Sequence, residues 1–211
     1  MSKCYFYKLT VDDGGAPCVE DGLLSLAICK PMIRSAAQVG DVIFGFAANS
    51  LHRDKRLIYI ARITDKLEDG RYYQESRYLL RNDCIYEWRS GVFQPRPDAK
   101  FHGSQQHLAH DLGRPLHYAR ANVLLSTDYR YFGGSLPEHY KARFKNLAEV
   151  IASLGRGHRT HHSQVLCDEL ERLMQETWRR APQGASPTQS PRYGVSHRGG
   201  GCGVVACNRG C

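Results

Sequence analysis

Two short apolar runs on either side of a polar one limit this chain's fold more than any other feature. Val42-Ile43-Phe44-Gly45-Phe46 follows the turn signal Gln38-Val39-Gly40-Asp41, and residues 57–63 repeat the apolar pattern after the polar, basic residues 49–55. Apolar runs this short, bounded by turn residues, read as buried strands, and the loop between them makes the two an antiparallel pair. Residues 4–11 are rich in aromatic and β-branched side chains and predict a half-buried first strand. The loop Asp12-Asp13-Gly14-Gly15-Ala16-Pro17 stops it. Val123-Leu124-Leu125 predicts a further central strand.

Helical signals lie between and after these runs. Pro31 blocks a continuous helix and disfavours α conformation at Lys30, so a short helix is expected to start at Pro31. Residues 93–115 carry Pro95, Pro97, Gly103 and Gly113 with His102, His107 and His110 and show no sustained period. They read as a long loop, either a lid or binding element or a disordered stretch. Ser135 and Pro137 can cap and start a helix bearing Phe144, Leu147, Ile151 and Leu154 at spacings of three and four, ended by Gly155 and Gly157. Ser163 opens a second amphipathic helix through Leu166, Leu170, Leu173 and Met174, completing a C-terminal helical hairpin. The expected fold is α+β: one domain over residues 1–180 with a small, mostly antiparallel sheet. Residues 181–211, rich in Gly, Pro and Ser, are expected to be disordered.

Composition narrows the function classes. Three of the 29 basic residues and none of the 21 acidic ones fall after residue 180, so the folded part carries +5 of the formal +8. A moderately basic domain attracts phosphate-bearing ligands, although ordinary surface charge explains the balance equally well. No run is apolar enough for a membrane span, and the first residues lead directly into a strand, so a cytoplasmic protein is expected. The scattered Cys4, Cys18, Cys29, Cys84 and Cys167 read as reduced thiols. Cys202, Cys207 and Cys211, like His158, His161 and His162, match no dependable zinc pattern, so no metal site is assigned and the cofactor is left unknown. The glycine-rich dinucleotide and P-loop signatures, the nucleophile elbow and the zincin motif are all missing from the sequence.

Three segments could carry chemistry. In Cys29-Lys30-Pro31-Met32-Ile33-Arg34, Lys30 and Arg34 suit phosphate, and Cys29 is either a small core residue or an activated thiol. The segment from Ser126 to Gly134 follows a central strand: Tyr131 and Phe132 could stack on a base whose edge meets Asp128, with Ser126 and Gly133 in the same wall, or Phe132 is core and Asp128 a turn former. In Gly155-Arg156-Gly157-His158-Arg159, Arg156 offers charge-assisted donors and His158 an acid or base, or the segment is a decorated helix end. Tyr72, Tyr73 and Tyr78 with Arg71 and Arg77 form either a nucleic-acid surface or a cover on the sheet.

Taken in order, Tyr5 and Tyr7, the Gly14-Ala16-Pro17 loop, residues 26–34, residues 39–43 and Leu57-Ile58-Tyr59 resemble the nucleotide modification associated domain family of the second type. Leu125-Ser126-Thr127-Asp128, Tyr131-Phe132-Gly133 and Gly155-Arg156-Gly157-His158 fit its later motifs, so the resemblance spans about residues 4–162. It implies involvement with modified bases or their nucleotide precursors, in bacteria or phages, with nucleotide or DNA as partner. The turn at Gly40-Asp41 also looks like small barrels of the PUA, ASCH and EVE kind, which implies a base-holding pocket as an alternative fold. Two functions follow. One is a reader in which Lys30, Arg34 and Arg156 hold phosphate beside a base on Tyr131 and Phe132. The other is an enzyme using Asp128 or His158 as acid or base and Cys29 as nucleophile. A protein-interaction scaffold is the third.

Overall fold

The structure is a computed structural model and describes residues 2–135, 140–155 and 157–180. Arg156, Pro137 and the expected tail with its three cysteines lie outside the described residues.

The apolar runs form the centre of a five-stranded sheet. β1 (Cys4–Leu9), β4 (Val42–Ala47), β5 (Leu57–Arg62), β10 (Asp128–Tyr131) and β11 (His158–Arg159) take the order β10-β5-β4-β1-β11. All six residues of β4 are buried, as a strand covered on both faces requires. β4 and β5 are antiparallel, as expected, while β1 and β4 are parallel because the chain crosses over between them through β2 (Cys18–Glu20), β3 (Leu23–Leu26) and α1 (Pro31–Ala36). A four-stranded antiparallel sheet runs β2-β3-β9-β6, with β6 at Asp65–Leu67 and β9 at Val123–Ser126. β7 (Tyr86–Arg89) and β8 (Val92–Pro95) form a hairpin. The fold is therefore mixed and mostly antiparallel. Among the described residues no sheet closes into a barrel, so the barrel alternative gives way to stacked open sheets.

Period-two alternation divides the five-stranded sheet into two faces. Phe6, Val42, Phe44 and Ile60 pack against α3 (Tyr140–Arg143), α4 (Lys145–Ser153) and α5 (Gln164–Arg180) through Phe144, Leu147, Ile151, Leu166 and Leu170. Tyr5, Tyr7, Ile43, Tyr59 and Ala61 face Leu24, Leu26 and Leu124 of the smaller sheet and Ile33 of α1. The helical hairpin is tied across its own interface: buried Glu169 on α5 accepts from Leu147 N at 2.7 Å, supplying α4 with the cap that its own N-terminal residue, Phe144, lacks. β11 lies in the connection between the two helices and extends the sheet beside β1.

One expectation is corrected, and one open alternative is decided in favour of a cover on the sheet. Residues 93–115 are not one loop: they contain the end of β8 and the helix α2 (Gln105–Leu112), capped by Ser104, whose side chain accepts from His107 N. Tyr72, Tyr73 and Tyr78 line no surface; they lie on two 3₁₀ turns and are buried behind the smaller sheet with Tyr86 and Phe93.

One row crosses the larger sheet in register: Tyr131, Tyr59, Gly45, Tyr7 and His158 on β10, β5, β4, β1 and β11. The glycine at its centre is required by space. A Cβ there would overlap the Tyr59 ring and come within 2.8 Å of Leu9, and that ring is anchored by its hydroxyl, 2.9 Å from the Tyr7 hydroxyl. Gly45→Ala is expected to destabilise the fold by about 1–3 kcal/mol through overpacking. Gly155→Ala, whose Cβ would meet open space, should stay within about 0.5 kcal/mol of wild type. Urea unfolding of both variants checks the difference.

Candidate active site

Beyond β3, Ala27 and Ile28 enter the core and the chain turns at Cys29 and Lys30, which both take left-handed backbone angles, φ 57° and 42°, before Pro31 opens α1. Two consecutive non-glycine residues in this region are costly and persist only where their surroundings hold them. Here the holding is explicit. The guanidinium of Arg34, fully buried, donates to Cys29 O at 2.7 Å, Arg120 O at 2.9 Å, Asn122 O at 2.6 Å and Asp111 O at 2.7 Å. From the other side, Cys29 N donates to the Asp111 carboxylate at 2.9 Å.

Asp111, in the last turn of α2, is the hub of the site. Its Oδ2 accepts from the Tyr86 hydroxyl at 2.8 Å and lies 2.6 Å from His102 Nδ1, and His102 Nε2 lies 3.5 Å from the Cys29 sulfur. Cysteine, imidazole and carboxylate are thus aligned in the order used by thiol nucleophiles. His102 is itself left-handed, at φ 44°. The charges fit the alignment. The hydrogen bond to Asp111, then the Cys29 contact, push His102 up to about 10 against the opposing effect of burial. Burial alone would raise Asp111, but the hydrogen bond and charge of His102, with Arg34 and Tyr86, outweigh it and hold the carboxyl below its usual range. Burial and the neighbouring carboxylate push Tyr86 up, so it stays a neutral donor.

The sulfur and imidazole open on a cavity of about 410 Å³ whose wall includes Tyr7, Leu9, Ala16, Lys30 and Phe101. Tyr7 belongs to the row across the sheet, and the Lys30 ammonium lies 4.8 Å over its ring. Burial pushes Lys30 down. It also lowers His158, with the Lys30 charge adding to the effect, and His158 stands opposite Tyr7 in the β1 and β11 register. Other thiols are set apart from this chemistry: burial pushes Cys4 and Cys84 up to about 11, and Cys18 further.

Of the residues singled out from the sequence, Cys29 and Lys30 line this cavity, and His158 is paired across the sheet with Tyr7 of its wall. Arg34 is near but binds carbonyls rather than a ligand. Asp128 lies elsewhere, accepting from Arg62 Nε at 3.2 Å and from Trp178 Nε1 at 2.8 Å, where it ties β10 to the end of α5. Ser126 is buried with its hydroxyl on Arg62 O, Phe132 is in the helix-side core, and Gly133 forms a turn at φ 54°. Tyr131 sits at the far end of the aromatic row, donating to Asp12 at 2.7 Å. Among the described residues no group of three or more His, Cys, Asp or Glu is arranged to hold a metal ion, and no helix is long and apolar enough to cross a membrane.

The family model described as nucleotide modification associated domain 2 matches residues 1–192. The chain belongs to that family. The match extends past both ends of the resemblance read from the motifs and covers every residue of the cavity. No curated protein and no solved structure matches the chain. The family's description links this member to nucleotide modification. Sequence reasoning passed over His102, Asp111 and Tyr86. Ser104 as a cap, with Leu108 and Leu112 four apart, was the available sign of the helix that carries Asp111.

The charge on His102 has a measurable consequence. Below pH 6.5 the imidazole is protonated in folded and unfolded chains alike and its pairing with Asp111 stabilises the fold in full. Between 6.5 and about 10 the unfolded chain loses this proton while the folded one keeps it, so stability declines as pH rises through the window. Urea unfolding across that range should show the decline in wild type and a flatter profile in His102→Gln.

Proposed function

We propose that the protein is a thiol-dependent enzyme that acts on a nucleotide or nucleobase through a covalent bond to Cys29. One observation carries the reading: Asp111, His102 and Cys29 form a connected chain ending at a cavity, at two sites of strained backbone. With Nδ1–H donated to Asp111, His102 presents Nε2 to the sulfur. As the sulfur bonds to an electrophilic carbon, the displaced electron pair leaves with the departing group, which takes the Nε2 proton. Asp111 stabilises the imidazolium and fixes its orientation. An incoming water or acceptor, giving its proton back to Nε2, then displaces the sulfur and restores the starting state. The reader reading is less well supported, because Phe132 and Asp128 face the helices rather than this cavity.

Two measurements test the reading. Iodoacetamide should label Cys29 ahead of Cys4, Cys18 and Cys84, and His102→Ala should slow that labelling about tenfold. With modified and unmodified nucleotides or DNA as substrates, Cys29→Ala should abolish turnover and the mass adduct, and Asp111→Asn should lower the rate on the order of 10²–10⁴-fold. Undiminished turnover by Cys29→Ala sinks the proposal.

A further inference from the structure

The wall beside the proposed nucleophile contains a positive charge that forms no ion pair among the described residues. Lys30 is half-buried, and among the described residues its ammonium makes no ion pair or hydrogen bond; its contact is the face of Tyr7, 4.8 Å away. The carboxylate of the same wall, Asp13, forms no ion pair with it among the described residues. The hydroxyl of Tyr7 is 2.9 Å from that of Tyr59, and burial keeps both phenols in the neutral form. His158 stands opposite Tyr7 in the β1 and β11 register and is pushed toward its neutral form. Of the two acids of the neighbouring loop, Asp12 accepts from Tyr131 at 2.7 Å, while Asp13, exposed, lines the same cavity and accepts from Gly15 N at 3.1 Å. Removing an ammonium from water without an anion is unfavourable, and a ring face compensates only in part. A ligand anion would complete the balance.

We propose that Lys30, seated on Tyr7, with His158 opposite Tyr7 on β11, is a subsite for a phosphate group of the substrate nucleotide. The inference rests on the thiol-enzyme reading, and it adds a polarity to the cavity. Lys30 adjoins Cys29 in the chain, so the phosphate is bound at the Tyr7 wall while the reacting carbon faces the sulfur between Cys29 and His102. His158, neutral, has an imidazole N–H to donate to a second phosphate oxygen. The lining also includes the apolar side chains of Leu9, Ala16 and Phe101, which suit the flat face of a base.

Calorimetry with the Cys29→Ala protein, which holds ligand without turnover, tests the subsite. The ligands are the four common deoxynucleosides, their 5′-monophosphates, and a short single-stranded oligodeoxynucleotide with a free 5′-hydroxyl. At least one monophosphate should bind about tenfold or more tightly than its nucleoside, in keeping with a charge-assisted contact. Adding Lys30→Gln should remove that difference and leave nucleoside affinity unchanged, while Lys30→Arg should keep part of it. If the oligonucleotide shows the same dependence on Lys30, the phosphate is supplied by a nucleic-acid chain; if only the monophosphate does, by a free nucleotide. Equal affinity for nucleoside and monophosphate, or a preference that survives Lys30→Gln, overturns the subsite and leaves the covalent mechanism standing. No binding of any of these ligands overturns the subsite and the nucleotide reading together. Turnover by the Cys29→Ala protein overturns the covalent mechanism alone.

Discussion

The buried guanidinium of Arg34 is the interaction on which the rest of the site depends. Its four carbonyl partners come from the turn at Cys29, the end of α2 and the approach to β9, so one side chain joins the Cys29 turn to the helix that carries Asp111. Burying a cation is costly unless its donors are satisfied, and arginine's planar fork, with five donors, can serve all four carbonyls where an ammonium has only three. The Asp111 carboxylate lies 3.8 Å away, close enough to balance the charge. That arrangement keeps Cys29 and Lys30 in a backbone conformation they would not hold alone, and it fixes the carboxylate that orients His102.

Chemistry and stability are assigned to opposite sides of one sheet. The face carrying Tyr7 and Tyr59 meets the smaller sheet, α1 and the cavity, while the face carrying Phe6 and Phe44 is covered by the C-terminal helices. Because side chains alternate along a strand, a shift of one residue exchanges the two roles. Asp128 and Tyr131 illustrate the consequence. They stand three apart on β10, and one anchors α5 through Trp178 while the other ends the aromatic row behind the cavity. The Gly45 gap lets Tyr59 lie across its neighbouring strand and meet Tyr7, giving the site a rigid, uncharged floor.

A second buried cluster has the same composition and a structural role. Arg81, Asp83, Tyr72 and Ser25 are joined by hydrogen bonds behind the smaller sheet, with Ser25 Oγ and the Tyr72 hydroxyl both on Asp83. Arg81 also lines the walls of two open pockets. What distinguishes the Asp111 cluster is a histidine placed between its carboxylate and a sulfur at the edge of a cavity.

The strands were legible because their signals are local. The apolar runs at residues 42–46 and 57–63, the aromatic start and the turn before Pro31 each declare themselves within a few residues, and burial of such runs leaves few alternatives. So was the presence of a thiol beside a cation at residues 29–30. α2 was hidden because its apolar positions are only Leu108 and Leu112, set among prolines and glycines that suggest a loop. β11 was hidden because two residues have no period. What only the tertiary structure decided is the partner of Cys29: His102 and Asp111 reach it from distant positions through a helix packed on α1 and a carbonyl network around Arg34. The sequence by itself determined the central strands, the C-terminal helices and the family; proximity between far-separated side chains arises from packing, which no local pattern encodes.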